Sequence, residues 1–435
     1  GYMSGSGNVT AEISDRLIDE EDIVLVTVNH RLNIFGGMYL GHFDRKYESS
    51  GLNSQLDLIL ALKWLKKNIR VFGGDIKIEH LMAMPEAEGL FEKAVIISGS
   101  IPVGAKTKKE GEEETVEVMK RLNISQDKWR ELLTMDAGRL FAGCAGMELI
   151  REDRTPFMPV ADGVHLMPNE DGGYHVYKCS RKVPVIVGAS EEEIASNVVK
   201  NPSMTWDDVR SGLLKQEFSI HQTLPGVAEE NVDGLIRVFR DSCGDTKQPW
   251  QIYVQMISMC HFLGDGAYRF AQKRAEMERD IPGTAPVWLY SVGYDTPQPL
   301  LGGLRCAGHT AELPLACRAV YYPEQEKLSK IIAHAFASFA RTGRPEVGQA
   351  DGGEWEPFTA ERKMTMMFDE TCECRQDPYK EIHEAVDIML NKEGSPEGER
   401  NRKPLQSDLK CLPIQKMVFK SVPHGVPVNS FEPRN

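Results

Sequence analysis

The chain has 435 residues, of which 41% are hydrophobic and 26% charged, and its net charge at pH 7 is −13. This length can bury a large core, as one big α/β domain or two smaller ones, and the composition is ordinary for a soluble globular protein. The acidic balance argues against a nucleic-acid partner, because phosphate binding needs clustered lysine and arginine side chains. The densest apolar stretch, Leu56 to Leu65, is interrupted by Asp57 and Lys63, so we expect no membrane span.

The first half of the chain predicts alternating strands and helices. The apolar run Ile23 to Val28 is typical of a strand buried on both faces of a parallel sheet. Leu56 to Ile69 is apolar nearly all round, which predicts a helix packed under other layers. Ala94 to Ile97 and Val183 to Val187 predict two further buried strands, and Lys108 to Leu122 predicts a charged helix.

The second half continues the same pattern. Helices are predicted at Trp206 to Leu214 and Val254 to Met277, followed by a strand at Val287 to Val292. Leu328 to Arg341 predicts an amphipathic helix, which Thr342-Gly343-Arg344-Pro345 would end. Strands separated by long helical stretches indicate an α/β protein whose sheet is mostly parallel and flanked by helices.

The composition changes near Asn391 to lysine, glutamate, proline, serine and asparagine without a period. Such a segment has too few apolar residues to form a core. We therefore predict one domain over residues 1–390 and a polar, disordered tail over residues 391–435.

Nine cysteines are spread along the chain with no repeated spacing. The pair Cys372 and Cys374 is too isolated to be half of a zinc site, so we expect no metal centre. Mostly free thiols favour a reducing compartment, and with it the cytoplasm. Because the chain begins at Gly1, a lost signal peptide stays open as an alternative.

Four motifs occur in a fixed order: N-H-R-L…F-G from Asn29 to Gly36, G-L-N-S-Q at residues 51–55, F-G-G-D at residues 72–75 and F-M-P-V-A-D-G at residues 157–163. Together they resemble the type-B carboxylesterase/cholinesterase family of α/β hydrolases, with Ser54 where that family usually has aspartate. The resemblance covers roughly Gly1 to Ile388. The resemblance implies an α/β-hydrolase fold and an activity that needs no metal or organic cofactor.

The resemblance also implies a catalytic acid and a catalytic base. The run from Gly188 to Glu193 is similar to the family's G-x-x-x-D-E, which makes Glu193 the acid that holds the histidine. Read alone, the three glutamates better suit the first turn of a helix, where they would complement the helix dipole. G-H-T-A-E-L-P resembles the family's H-G-x-E-L-P loop, with Thr310 where glycine is common. It implies that His309 is the general base and that Glu312 supports the loop.

The serine nucleophile of that family has no counterpart. Only Ile76 to Ala83 lies where the family has a strand and a G-x-S-x-G elbow, and it contains no serine. Allowing for the usual spacing, roughly a dozen residues are absent. Gly1 resembles the last glycine of the oxyanion loop, and the strand before that loop is missing too, so we expect a sheet incomplete at its centre. Ser98 and Ser100 match a serine pair after the next strand; we expect Ser98 near Glu193 and neither as the nucleophile.

Three functions follow from these features. The first is a carboxylesterase-family chain whose parent hydrolyses small hydrophobic esters with a Ser-His-Glu triad, and which is itself inactive for want of the serine. The second is a non-catalytic relative that acts as a protein-binding module. The third is a hydrolase with another nucleophile. Because Glu193 and His309 persist, the first is favoured; the sequence fixes neither the ester nor the oligomeric state.

Overall fold

A five-stranded sheet organises the chain. The structure is a computed structural model that describes residues 4–7, 14–68, 78–98, 105–147, 156–166, 179–195, 203–215, 227–243, 247–261, 263–297, 305–348 and 353–389. The strands are β1 (Ala94–Ile97), β2 (Val185–Ser190), β3 (Val287–Val292), β4 (Met364–Phe368) and β5 (Glu373–Gln376). They lie side by side in chain order, with β1 to β4 parallel and β5 antiparallel to β4.

Helices connect and cover the strands. They are α1 (Asp15–Glu21), α2 (Asn33–Gly37), α3 (Asn53–Asn68), α4 (Ile78–Met82), α5 (Lys108–Arg121), α6 (Ala137–Cys144), α7 (Trp206–Lys215), α8 (Glu229–Cys243), α9 (Pro249–His261), α10 (Arg269–Asp280), α11 (Glu312–Ala316), α12 (Glu326–Thr342) and α13 (Lys380–Met389). The helix predicted at 254–277 is in fact α9 and α10, separated by a π-helical turn at Leu263–Tyr268. The predicted α/β architecture, a mostly parallel sheet flanked by helices, is confirmed.

The two faces of the sheet bury separate cores. All six residues of β2 and of β3 are buried, as expected for strands covered on both sides. On one face Val187 packs in a cluster that includes Ile257 of α9, and on the other Ile186 packs in a cluster that includes Phe339 of α12. Alternate residues of one strand therefore hold the two helical layers on opposite sides.

The strand register brings the carboxyl ends of β1, β2 and β3 to one edge of the sheet. Ile97 lies opposite Gly188, and Gly188 lies opposite Tyr290. A Cβ atom on Gly188 would come within 2.4 Å of the Tyr290 ring, so this position accepts only glycine beside that tyrosine. The segments that follow the three strands consequently meet above this edge.

Three of the four motifs can be placed in the structure in detail. Ser54 donates a hydrogen bond to the carbonyl of Arg31, whose guanidinium pairs with both carboxylate oxygens of Asp57 on α3, at 2.7 and 2.9 Å. Asp162 accepts the backbone N–H groups of residues 164–166 and so closes the turn of the fourth motif. Both arrangements fix loops on the helical layers. The F-G-G-D motif lies outside the described residues.

The predicted strand at Ile23 to Val28 is wrong. This stretch is extended but in no strand pairing, and Val24 is 65% exposed. A strand persists only where a neighbour takes up its backbone N–H and C=O groups. Within the part of the chain that the structure describes, β1 pairs with β2 on one side and no strand lies on its other side.

The predicted helix at 56–69 is confirmed as α3, but its burial on all sides is wrong. Leu58, Ile59 and Leu65 are buried, whereas Leu60 is 69% and Trp64 59% exposed. An apolar helix is buried all round only if a layer covers its outer face as well. No described residue covers that face.

The domain prediction, residues 1–390 followed by a tail at 391–435, stays a prediction. The tail lies outside the described residues. Among the helices that are described, none combines the length and the apolar character needed to cross a bilayer.

The two sides of α3 provide a test with matched substitutions. Leu58→Ala should lower the free energy of unfolding by about 2–5 kcal/mol, because it leaves a cavity in the core. Leu60→Ala should change it by no more than about 0.5 kcal/mol, because that side chain is exposed. Urea unfolding followed by circular dichroism measures both. Equal losses would show that the outer face of α3 is covered, contrary to this structure.

Candidate active site

Glu193 and His309 meet at the carboxyl edge of the sheet. Glu193 follows β2 by three residues, and His309 lies in the loop between β3 and α11. One carboxylate oxygen of Glu193 accepts a hydrogen bond from Nδ1 of His309. Glu193 is 2% exposed, whereas the His309 side chain is 46% exposed, so a buried acid holds a histidine that faces outward.

The other oxygen of Glu193 is also fixed. It accepts the backbone N–H of Ser190 at 3.0 Å and the hydroxyl of Ser98 at 2.7 Å. A carboxylate held at both oxygens keeps one orientation, and its bond to Nδ1–H fixes the histidine tautomer that leaves Nε2 as the basic nitrogen. This is the geometry of an acid–base pair.

Ser98 lies beside Glu193, as the sequence predicts, and near the Nδ1 nitrogen of the imidazole ring, which bonds Glu193. Its Oγ is 3.4 Å from Nδ1 of His309, and its proton goes to Glu193. A triad nucleophile instead gives its proton to Nε2. Ser98 is also buried. Ser98 therefore orients the acid and is not placed to attack a substrate.

The charge of Glu193 sets the proton affinity of His309. Desolvation of the ring lowers the pKa of His309, but the charge of Glu193 and its hydrogen bond outweigh this, so the pKa is raised above its ordinary value. Glu312 adds a smaller contribution of the same sign. The imidazole is thus a stronger base than a free histidine.

Glu312 ties the histidine loop to the sheet. It is fully buried, and it accepts the Tyr290 hydroxyl at 2.9 Å and the Ser190 hydroxyl at 3.2 Å. Burial, together with the nearby charge of Glu193, raises the pKa of Glu312 to about 7. Its contacts match the supporting role that the resemblance implies.

Glu192 anchors the same loop from a second side, which sequence reasoning missed. Its carboxylate accepts the backbone N–H of Ala307 at 3.0 Å and pairs with Lys247 at 3.0 Å. Burial raises the pKa of Glu192 to about 7, against the charge of Lys247. The sequence of three consecutive glutamates did not indicate which partner each one would contact. Glu191 accepts a hydrogen bond from the Tyr379 hydroxyl at 2.6 Å instead.

Two residues beside the pair have left-handed backbone conformations, Ser98 with φ of 56° and Thr310 with φ of 61°. That region disfavours side chains with a Cβ, and most of all β-branched ones. The conformation at Thr310 is one that glycine would adopt without strain. The histidine loop is therefore held in shape by the contacts of Glu312 and Glu192 rather than by the backbone conformation that its residues prefer.

The other predicted positions are Gly1, Ser100 and the segment Ile76 to Ala83. Gly1 and Ser100 lie outside the described residues. Of Ile76 to Ala83, the structure describes Ile78–Met82 as the short helix α4, with Leu81 and Met82 buried. Among the described residues, no group of three histidine, cysteine, aspartate or glutamate side chains is arranged to hold a metal ion.

Proteins with similar sequences include an esterase and a cholinesterase. Para-nitrobenzyl esterase of Bacillus subtilis (strain 168) is 25% identical over 407 residues, which cover 87% of this chain and 76% of that protein. Cholinesterase of Mus musculus is 23% identical, over 83% of this chain and 63% of that protein. The chain thus spans less than two thirds of the cholinesterase.

Solved structures give the same result for the fold. The carboxylesterase EST55 of Geobacillus stearothermophilus at pH 6.2 superposes with a TM-score of 0.70 at 24% identity, over 88% of this chain and 80% of that one. An esterase of Clostridium hathewayi, described as able to hydrolyse aliphatic aromatic polyesters, gives 0.66 at 22% identity, over 90% and 77%. These likenesses show the α/β-hydrolase fold. The sequence model of the carboxylesterase family matches residues 1–385, and the chain therefore belongs to the carboxylesterase family.

Proposed function

We propose that this chain descends from an ester hydrolase with a Ser-His-Glu triad and does not itself hydrolyse esters by that route. In the parent enzyme Glu193 is the acid and His309 the general base, and the substrate is a small hydrophobic carboxylic ester. The serine would attack the ester carbonyl, and His309 would take its proton and return it to the leaving alcohol. No metal or organic cofactor takes part in this route.

One observation carries the proposal: the acid–base pair is assembled, while the segment that should supply the nucleophile contains none. Ile76 to Ala83 reads IKIEHLMA, without serine, threonine or cysteine. Covalent catalysis needs a nucleophile within reach of the base, and Ser98 lies on the opposite nitrogen. Of the described residues, Ser98 is therefore not a group that His309 could activate, and the segment Ile76 to Ala83 supplies none by its sequence.

A protein-binding module is the second candidate, and the exposed apolar side chains of Val24, Leu60 and Trp64 favour it. A binding module, however, has no use for a histidine fixed by a buried carboxylate. Glu192 and Glu312, two buried carboxylates that hold the histidine loop, add to that argument. We therefore favour loss of activity from an esterase.

The first prediction from this proposal concerns ester turnover. The full chain should hydrolyse a para-nitrobenzyl ester about six orders of magnitude more slowly than an intact family member, as is typical when the nucleophile of a triad is removed. His309→Ala should leave that residual rate unchanged, because the base has nothing to activate. His334→Ala, at a histidine paired with Glu21 away from the site, is the control. The rates are measured by product release under substrate excess.

The same preparation tests the third function, a hydrolase with another nucleophile. A fluorophosphonate probe should label no residue of the chain, and the Bacillus subtilis esterase serves as the positive control. A labelled residue, together with a rate that falls in His309→Ala, would show that the chain keeps a nucleophile and would overturn the proposal.

The second prediction concerns restoration. A designed insertion of roughly a dozen residues between Asp75 and Met84, forming a strand and a G-x-S-x-G turn, should allow fluorophosphonate labelling of the new serine. His309→Ala in that background should slow labelling by at least about a hundredfold, because the general base is lost. The same insertion with alanine in place of serine is the control. A folded insertion variant that labels equally well without His309 would contradict the assigned base.

The third prediction concerns pH. Because the pKa of His309 is raised in the folded chain, the pair stabilises the fold fully below the ordinary histidine pKa of about 6.5, and this contribution is lost as pH rises through the raised pKa. Glu193→Gln should lower the pKa of His309 in an NMR titration of its ring. Glu191→Gln should leave it in place, because that carboxylate faces Tyr379. An unchanged His309 pKa in Glu193→Gln would show that the pair does not form.

A further inference from the structure

An extended segment without a partner strand, residues 23–28, lies at the surface of the chain. It reads IVLVTV, six residues with no charge, glycine or proline. Its backbone N–H and C=O groups bond no other described residue. Val24 is 65% and Val26 36% exposed, and Thr27 is exposed as well. The segment is therefore a strand edge of the kind that pairs readily with another chain.

Both ends of this segment are fixed, so it is extended before any partner binds. At one end the carbonyl of Glu21, the last residue of α1, accepts a hydrogen bond from Nη1 of Arg341 at 2.6 Å. At the other end the backbone N–H of Arg31 bonds Asp57 of α3 at 3.0 Å. Val28 packs against the core from the inner side. Pairing with a second strand would therefore cost little conformational entropy.

The two edges of the segment differ. In an extended chain, the N–H and C=O groups of even-numbered and odd-numbered residues point to opposite edges. A Cβ atom on Gly7 would come within 3.2 Å of the carbonyl oxygen of Val28 and 3.3 Å of its nitrogen. Gly7 thus lies against the edge of the even-numbered residues. The groups of residues 23, 25 and 27 point to the other edge.

The flanks of the segment carry opposite charges. Asp22, which precedes it, is exposed. Arg31, which follows it, has a side chain that is 50% exposed and binds Asp57 through Nε and Nη2, so Nη1 takes no part in that pair. When two such segments pair antiparallel, the acidic flank of each lies beside the basic flank of the other. Parallel pairing would place like charges together, so a second copy of the chain fits in the antiparallel direction.

We propose that two copies of this chain associate through residues 23–28, which pair antiparallel across a two-fold axis along the edge opposite Gly7. With Val26 of the two copies face to face, Leu25 of each copy exchanges backbone hydrogen bonds with Thr27 of the other. Both copies use the same surface, so the association closes at two chains. The proposal does not depend on the missing serine, and its test measures association rather than hydrolysis.

The mass of the full chain in solution tests this pairing. Sedimentation equilibrium over a range of chain concentrations should show one chain in dilute samples and two in concentrated ones. Amide hydrogen exchange of residues 23–28, read by mass spectrometry, should slow only in the concentrated samples, because only the pair protects these N–H groups.

Two proline variants form a matched pair at exposed positions. Thr27→Pro removes an N–H from the proposed edge and should raise the dissociation constant of the dimer about thirtyfold, because each dimer loses two backbone hydrogen bonds. Val26→Pro removes an N–H from the Gly7 edge and should have a much smaller effect. Neither change removes a backbone hydrogen bond to a described residue. Urea unfolding of dilute samples checks that both variants fold.

Two further variants keep the test valid if a proline variant does not fold. Asp22→Asn should raise the dissociation constant about three- to tenfold, since the exposed charge contact occurs twice in the dimer. Leu60→Lys, at an equally exposed apolar side chain of α3, should leave it unchanged. These results, with the proline effects, would support the pairing.

Several outcomes would overturn the proposal. One is a single-chain mass at every concentration, and another is an effect of Val26→Pro that equals or exceeds that of Thr27→Pro. Assemblies larger than two would show that both edges pair, contrary to a closed dimer. A dimer that Leu60→Lys dissociates and Asp22→Asn leaves intact would place the interface on α3 instead.

Discussion

The hydrogen bonds of the Glu193 carboxylate hold the candidate site together. This one buried group receives Ser98 from the end of β1, the Ser190 N–H from the end of β2 and His309 from the loop after β3. The three segments meet because the parallel register ends these strands at one edge. The sheet thus positions Glu193 and His309 through the ends of β1 and β2 and the loop after β3.

Burying several carboxylates beside one another is costly unless each has its own partners. Here Glu193 has His309, Glu312 has the Tyr290 hydroxyl, and Glu192 has Lys247 and the Ala307 N–H. Two of the three have pKa values raised to about 7, because burial disfavours their charged forms. The cost is understandable in a site that keeps a histidine basic and oriented, and it has no evident purpose in a surface that only binds a partner.

The sequence predicted the parts of the fold that local pattern determines. Strands β1 and β3 were found to the residue, because fully buried strands read as continuous apolar runs. The run Ile23 to Val28 has the same local pattern and forms no strand, because pairing depends on distant residues. Strand β5 is polar and was missed. The positions of Glu193 and His309 came from family resemblance alone; the role of Glu192 came only from its contacts.

The proposed loss of a strand and an elbow would affect packing and chemistry by different amounts. Loss of the serine hydroxyl alone, by substitution, would remove the nucleophile without a cost in folding energy. The side chains of Val24, Leu60 and Trp64, by contrast, are 65%, 69% and 59% exposed, and each would contribute roughly 1–2 kcal/mol more if it were buried. Under the proposal, loss of the strand and elbow would reduce stability more than a substitution of the serine, which would keep every packed layer. A chain retained for binding alone would lose less stability if its serine were substituted than if the strand and elbow were deleted.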